Sequence, residues 1–389
     1  MLLPSLVIGG AQEVVCGLAR SFARKGCKVV VGVLFEGGPL EGELRAQGTE
    51  FEVFGLPRRP IRKLPQYLAD LWRLQRRLRQ FLLDHKVNAI QTNNLGSQDF
   101  LLLAVAHQLK IPVVTLNFQD DRVFPPERTN HVHSRIQRRM YRVARRWASD
   151  YVAVSPETKS SLVRQTKVRE DQVSTVCNAV DVEKFAAPVD VRRVRETLGL
   201  SAESKLLITV ATFKEQKGHR YLIEAAKTIV EREPRAHFLL VGDGELREEV
   251  QRQVEQLGLS EHVHFLGSRR DVSDLLAASD IFILPSLFEG LSVALLEAMA
   301  AGVPVVATAV SGTTTVVNDD SIALLVPPAN KESLADATLG LLTRSAEERE
   351  ALAAAARQRV LEEFSLDRQA ANYITLYERL LAEKTRRSN

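Results

Sequence analysis

Cysteine is scarce in this chain. Cys16, Cys27 and Cys177 are the only three in 389 residues, and their spacing fits neither a disulfide framework nor a zinc motif. Reduced thiols in a cytosol suit that usage. Long apolar runs are missing as well: none approaches the roughly 20 residues that a membrane-spanning helix needs. The opening segment MLLPSLVIGG lacks the basic flank and cleavage site of an export signal. It reads instead as a short first strand running into a glycine turn. Aromatic residues make up only 6% of the chain, and no basic stretch carries the interleaved stacking platform of a nucleic-acid binder. Nucleic acid is therefore set aside as a partner.

What is present is ample apolar material, 45% of residues, with 26% charged, enough for two globular domains with full cores. The net charge of +4 hides an asymmetry. Residues 1–185 hold 28 Lys and Arg against 18 Asp and Glu, a balance of +10, and the remainder holds 24 against 30, a balance of −6. Opposite halves of this kind direct the first domain toward an anionic partner. Two stretches concentrate the charge. Arg58–Lys86 has nine Lys and Arg against two Asp, with Leu64, Leu68, Leu71, Trp72, Leu78 and Phe81 as an expected apolar stripe. Arg128–Trp147 has seven Arg and no acid, with Ile136, Met140, Val143 and Trp147 on one helical face. Such helices either rest on an anionic membrane surface or pack their apolar stripe on a sheet in the ordinary way.

Along the first half, short β-branched runs at Val29–Leu34, Phe51–Phe54, Val87–Thr92, Val113–Leu116, Tyr151–Val154 and Val173–Cys177 predict buried parallel strands. Helical patterns separate them at Gln12–Lys25, Leu64–His85 and Leu101–Leu109. The second half repeats the scheme, with strands at Leu206–Ala211, Ala236–Val241, Val263–Leu266, Ile281–Leu284, Val305–Thr308 and Ala323–Val326. The class is α/β, with two Rossmann-like doubly wound parallel sheets. The expected domains are residues 1–185 and 186–366, with a linker at Lys184–Pro188 and a final helix, 367–389, packing back on the first domain. Ligands of such sheets bind beyond the carboxyl ends of the strands, so a cleft is the expected site.

The most informative stretch is Leu284–Pro304. A strand ends, a turn carries Glu289 and Gly290, and a helix begins at about Ser292, with Glu297 eight residues beyond Glu289. The amides of Leu291, Ser292 and Val293 fall at the positive end of that helix, where an anion is favoured. Carboxylates for hydroxyls and amides for phosphate suit a polyhydroxylated phosphate ester, although an isolated pair of this spacing also fits a helix with one capping and one solvated acid. Gly9-Gly10-Ala11-Gln12 opens the first helix, and its glycines allow a tight turn and close approach to a ligand; a strand-to-helix turn needs glycine in any case. Lys217 stands just before the helix starting GHRYLIEAAK, placed to reach a pyrophosphate or simply solvated. Val241-Gly242-Asp243-Gly244 reads as a tight turn at the next strand end.

In their order and spacing these elements resemble the retaining glycosyltransferases of family four, which have the GT-B fold of two domains facing across a cleft. The resemblance runs from Gly9-Gly10 through Asn178-Ala179-Val180-Asp181, Lys217-Gly218-His219, Gly242 and the Glu289–Glu297 pair to Leu324-Leu325-Val326-Pro327. It implies transfer of a sugar from a UDP- or GDP-sugar to a hydroxyl of a glycan or lipid-linked acceptor, with retention and without a metal. Glu289 would bind the donor sugar, Glu297 the ribose, and Lys217 with the amides of Leu291–Val293 the diphosphate. Thr212, Gly242 and Gly290 would complete the nucleotide-sugar site. Gly9 and Gly10 of the first domain would approach the same phosphates and the reacting centre. Asn117 would hydrogen-bond a sugar hydroxyl as a catalytic residue, and the first domain also takes the acceptor. The enzyme is expected to work in the cytoplasm, peripherally at the inner face of a membrane. The chain departs from the family pattern where Thr212 replaces an arginine, Asn117 a histidine and Thr315 an acid. These departures keep a second expectation open, a degenerate member that binds nucleotide sugar or glycan without transfer. A sugar-nucleotide epimerase of the same fold is disfavoured because few acid–base candidates surround the sugar position.

Overall fold

A computed structural model of the chain describes residues 1–6, 10–57, 64–93, 99–117, 147–166 and 168–388. It divides into two compact units, Met1–Cys177 with Leu366–Asn389, and Asn178–Ser365. The stretch expected to be a linker lies inside the second unit. There Val180 N–H donates to the Phe364 carbonyl at 2.9 Å and the side chain of Phe185 is buried, so the segment is held by that unit.

The first unit has strands β1 (Leu2–Ser5), β2 (Val30–Glu36), β3 (Glu50–Val53), β4 (Ile90–Asn93), β5 (Val113–Asn117), β6 (Asp150–Ala153) and β7 (Val173–Thr175). They form one parallel sheet in the order β3-β2-β1-β4-β5-β6-β7. The second unit has β8 (Lys205–Val210), β9 (Ala236–Val241), β10 (Val263–Gly267), β11 (Ile281–Leu284), β12 (Val305–Thr308) and β13 (Leu324–Val326). These are also parallel, in the order β10-β9-β8-β11-β12-β13. Continuous burial along Leu206–Ile208, Phe238–Val241 and Ile281–Leu284 shows both sheet faces covered, as parallel strands joined through helices require.

The helix Leu64–Asp84 corrects one expectation. Its core stripe is Leu74, Leu78, Phe81 and Leu82, all buried, whereas Trp72 is 58% exposed. At 100° per residue, Trp72 lies about 120–160° from Leu74 and Leu78, so it cannot share their face.

The closing helix Leu366–Ser388 belongs to the first unit. Tyr373 is fully buried edge-on against Phe22, with ring centroids 6.2 Å apart. Arg24 meets Asp367 at 3.1 Å, and the Arg379 guanidinium pairs with the buried carboxylate of Asp150.

In each sheet the strand order reverses once, between β1 and β4 and between β8 and β11. Successive crossovers leave on opposite faces at such a point, which opens a crevice at the carboxyl ends of the two strands. In the second unit the loops that follow β8 and β11 border that crevice.

Candidate active site of the second unit

The loops around this crevice are joined backbone to backbone. Gly218, at φ +64°, lies so close to the β11 loop that a Cβ would stand 2.0 Å from the Pro285 carbonyl oxygen. Gly242, at φ +133°, leaves 2.1 Å between such a Cβ and the Ala211 oxygen, and Gly312 leaves 2.3 Å to the oxygen of Gly290. A side chain at any of the three would force a loop outward. Gln216 completes the join: its side-chain amide donates to the Phe288 carbonyl at 2.9 Å, and its own carbonyl accepts from Leu287 N–H at 2.8 Å.

This framework sets Lys217 against Glu289. The ammonium donates to Glu289 Oε1 at 2.5 Å, and the hydroxyl of Ser286 donates to the same oxygen at 2.6 Å. The Glu289 side chain is only 5% exposed and that of Lys217 21%. A carboxylate so enclosed requires a cation and hydrogen-bond donors, and it has both. Ser286 is positioned in turn by Thr308, whose hydroxyl donates to the Ser286 carbonyl at 2.5 Å. The Glu289 carbonyl accepts from Gly312 N–H and from the Ser311 hydroxyl, each at 3.2 Å. Glu289 is thus held through both its backbone and its side chain.

Beyond Glu289 the chain turns into the helix Val293–Ala300. Ser292 is its N-cap, with the hydroxyl accepting from Leu295 N–H at 3.3 Å. The amides of Gly290, Leu291, Ser292 and Val293 have no acceptor among the described residues, leaving donors at the positive helix end. The Leu291 carbonyl is fixed by the buried Asn178, whose side-chain amide donates to it at 2.9 Å. Asn178, which the family resemblance includes without a role, and Gln216, which no sequence signal singles out, are positioning residues.

The remaining expected residues fall as follows. Thr212 is exposed just past the end of β8, and Lys214 N–H folds back onto its carbonyl at 2.8 Å. Glu297 is half-buried on the helix that carries the free amides. Thr315, where the family pattern has an acid, donates its hydroxyl to the Ser311 carbonyl at 3.3 Å. Gly9 lies outside the described residues, Gly10 opens the helix Gly10–Arg24, and Asn117 closes β5 in register with Ala153. The side chain of Asn117 and most of the Arg128–Trp147 stretch lie outside what the structure describes.

His219, immediately after Gly218, is 4% exposed and stacks on Phe213 with ring centroids 4.2 Å apart. Neither ring nitrogen has a hydrogen-bond partner among the described residues. Burial, with a smaller contribution from the positive charge of Lys217, pushes its pKa down to about 4. The imidazole is therefore neutral at physiological pH and adds no charge beside Lys217.

Known proteins align with this chain on both units. The family model described as Glycosyltransferase Family 4 matches residues 8–184, and that described as Glycosyl transferases group 1 matches residues 190–359. Among curated relatives, the UDP-Gal:alpha-D-GlcNAc-diphosphoundecaprenol alpha-1,3-galactosyltransferase of Escherichia coli is 33% identical over 179 residues, 45% of this chain and 46% of that protein. The chain spans about half the length of curated relatives such as this one. A glycosyltransferase structure from Rickettsia africae superimposes with a TM-score of 0.79 at 18% identity, covering 98% of both chains. The structure of Anabaena HepE in complex with UDP-glucose does so with a TM-score of 0.77 at 23% identity, covering 96% of this chain and 98% of that one. The fold is that of the GT-B glycosyltransferases. The chain belongs to glycosyltransferase family four.

Proposed function

We propose that this chain is a retaining glycosyltransferase moving a sugar from a UDP- or GDP-sugar to a hydroxyl of a glycan or lipid-linked acceptor, without a metal. The observation that carries the reading is the Lys217–Glu289 pair, set at the reversal point of the second sheet beside unoccupied helix-end amides. Charge grows on the leaving diphosphate oxygen as the glycosidic bond breaks. A lysine and amides aimed there stabilise the transition state more than the ground state. In the free protein Lys217 is engaged by Glu289. An incoming diphosphate competes for that ammonium, and the Ser286 hydroxyl remains to hold the carboxylate while Lys217 turns to phosphate. Glu289 is then available to sugar hydroxyls.

Glu297 is assigned the ribose. Thr212, Gly242 and Gly290 border the diphosphate, with Thr212 offering a hydroxyl where relatives of this pattern have an arginine. Gly9, Gly10 and Asn117 keep the roles that the family resemblance implies for them. UDP is the favoured nucleotide, since HepE is a complex with UDP-glucose and the Escherichia coli relative is named for UDP-Gal. The printed acceptor of that relative, a sugar diphosphoundecaprenol, supports a lipid-linked acceptor, and the cytoplasmic face of a membrane as the place of work.

A second reading is favoured by the exposed Thr212 hydroxyl and the uncharged Thr315: a member that binds nucleotide sugar without transfer. Incubation with UDP-glucose, UDP-galactose, UDP-N-acetylglucosamine and GDP-mannose, each with a polyprenyl-diphosphate sugar, separates them. A product of added sugar mass in the donor's anomeric configuration is expected, and Glu297→Ala should weaken donor binding at least tenfold. Donor binding without product establishes the second reading, and donor consumption without acceptor would favour an epimerase.

A further inference from the structure

The helix Leu64–Asp84 carries a second stripe that its own unit does not use. Trp72, Arg76, Arg79 and Leu83 follow one another at intervals of four, three and four residues, which places them within about 60° on the solvent side. Trp72 is 58% exposed and Leu83 45%, and they account for two of the four exposed large hydrophobic residues among the described ones. The helix needs neither for its packing, since Leu74, Leu78, Phe81 and Leu82 already seat it on the core.

The arginines of this helix divide in the same way. Arg73 pairs with Asp70 at 3.3 Å, and Arg77 pairs with Glu52 at 2.5 Å and also donates to the Phe54 carbonyl. Both are satisfied within the protein. Arg76 and Arg79, on the stripe, have no carboxylate partner among the described residues. The Arg76 guanidinium instead lies over the Trp72 ring, 4.9 Å from its centroid. Asp84 stands off the stripe and accepts from Gln80 at 2.7 Å.

From these placements we infer that the Trp72–Arg76–Arg79–Leu83 face docks the chain on the surface of an anionic lipid bilayer. An indole and a leucine flanking two guanidinium groups that have no carboxylate partner among the described residues match the boundary between acyl chains and phosphates. Tryptophan prefers that level, and leucine enters the apolar side. Arginine binds a phosphate through two parallel N–H donors while its stem lies along apolar surface. The first-half charge balance of +10 adds long-range attraction of the same sign. A second copy of the chain fits less well, because a two-fold contact through this stripe sets like charges against each other. Among the described residues no helix is long and apolar enough to cross a membrane, so the contact is superficial.

The inference extends the proposed activity but does not depend on transfer, because vesicle binding is read without donor or acceptor. The test uses the full chain and vesicles of phosphatidylcholine, with and without phosphatidylglycerol. Cosedimentation gives affinity, and a Trp147→Phe background leaves Trp72 as the only indole emitter. The expected result is binding to the anionic vesicles alone, weakened by salt, with a blue shift of Trp72 emission. The double variant Arg76→Gln/Arg79→Gln should lose about thirtyfold in affinity at unchanged melting temperature, and Trp72→Ala should lose binding as well. Arg192→Gln, an exposed charge in the second unit, should bind as the wild type does. No binding to either vesicle, or equal binding by the double variant, would overturn the inference. A concentration-dependent dimer abolished by Trp72→Ala would reassign the face to a second copy.

Discussion

His219 shows how a residue without charge supports a charged site. Its ring fills the space beside Phe213 with no hydrogen bond to either nitrogen among the described residues, which is tolerable only while the ring is neutral. The folded pKa of about 4 lies below the ordinary 6.5, so between those values the unfolded chain takes up a proton that the folded one refuses. Stability contributed by this residue is present above pH 6.5 and is lost as pH falls toward 4. Compared with His219→Phe, which keeps the stack and cannot titrate, the wild type should lose about 2 kcal/mol of stability between pH 7.5 and 5. Denaturant unfolding of both proteins at several pH values measures the difference. A constant difference would mean that the imidazole is protonated in place.

The elements of the second unit meet through glycines, and here the sequence was legible only in part. The short buried strands were readable because both faces of a parallel sheet demand apolar residues; Ala236–Val241, Ile281–Leu284 and Val305–Thr308 fall where their composition places them. Glu289 and Lys217 were readable through spacing and loop position. Their direct contact was not, since it depends on Gly218 and Gln216 drawing two loops together across 72 positions of sequence. Gly242 reads as a tight turn and, through the resemblance, as part of the nucleotide-sugar site, whereas its missing Cβ first admits the Ala211 carbonyl. Gly312 gives the sharpest test at this scale. A methyl group there would stand 2.3 Å from the Gly290 carbonyl oxygen, a backbone atom that cannot swing aside as a side chain would. Gly312→Ala should push the helix Ser311–Val316 off the Glu289 loop, costing roughly 1–3 kcal/mol of stability and most of the donor affinity. Thermal melting with and without UDP reads both, and unchanged values would show that the contact is dispensable.

Across the whole chain, a basic first half and an acidic second half accompany two sheets of the same construction. The helix Leu64–Asp84 shows why composition alone could not complete that picture. Counting apolar residues groups Trp72 in one stripe with Leu78 and Phe81, while the angular position of Leu74, Leu78 and Phe81 assigns it to solvent. In the proposed activity a smaller set of atoms is decisive, chiefly the Lys217 ammonium, which pairs with Glu289 in the free protein and would turn to a diphosphate. Titration with UDP followed by turnover with the active donor, for the wild type and Lys217→Met, tests this directly, because methionine keeps the length of the stem and removes the charge. UDP affinity should fall at least tenfold and turnover about a hundredfold or more. Wild-type UDP affinity and turnover in Lys217→Met would contradict the assignment of this crevice as the donor site.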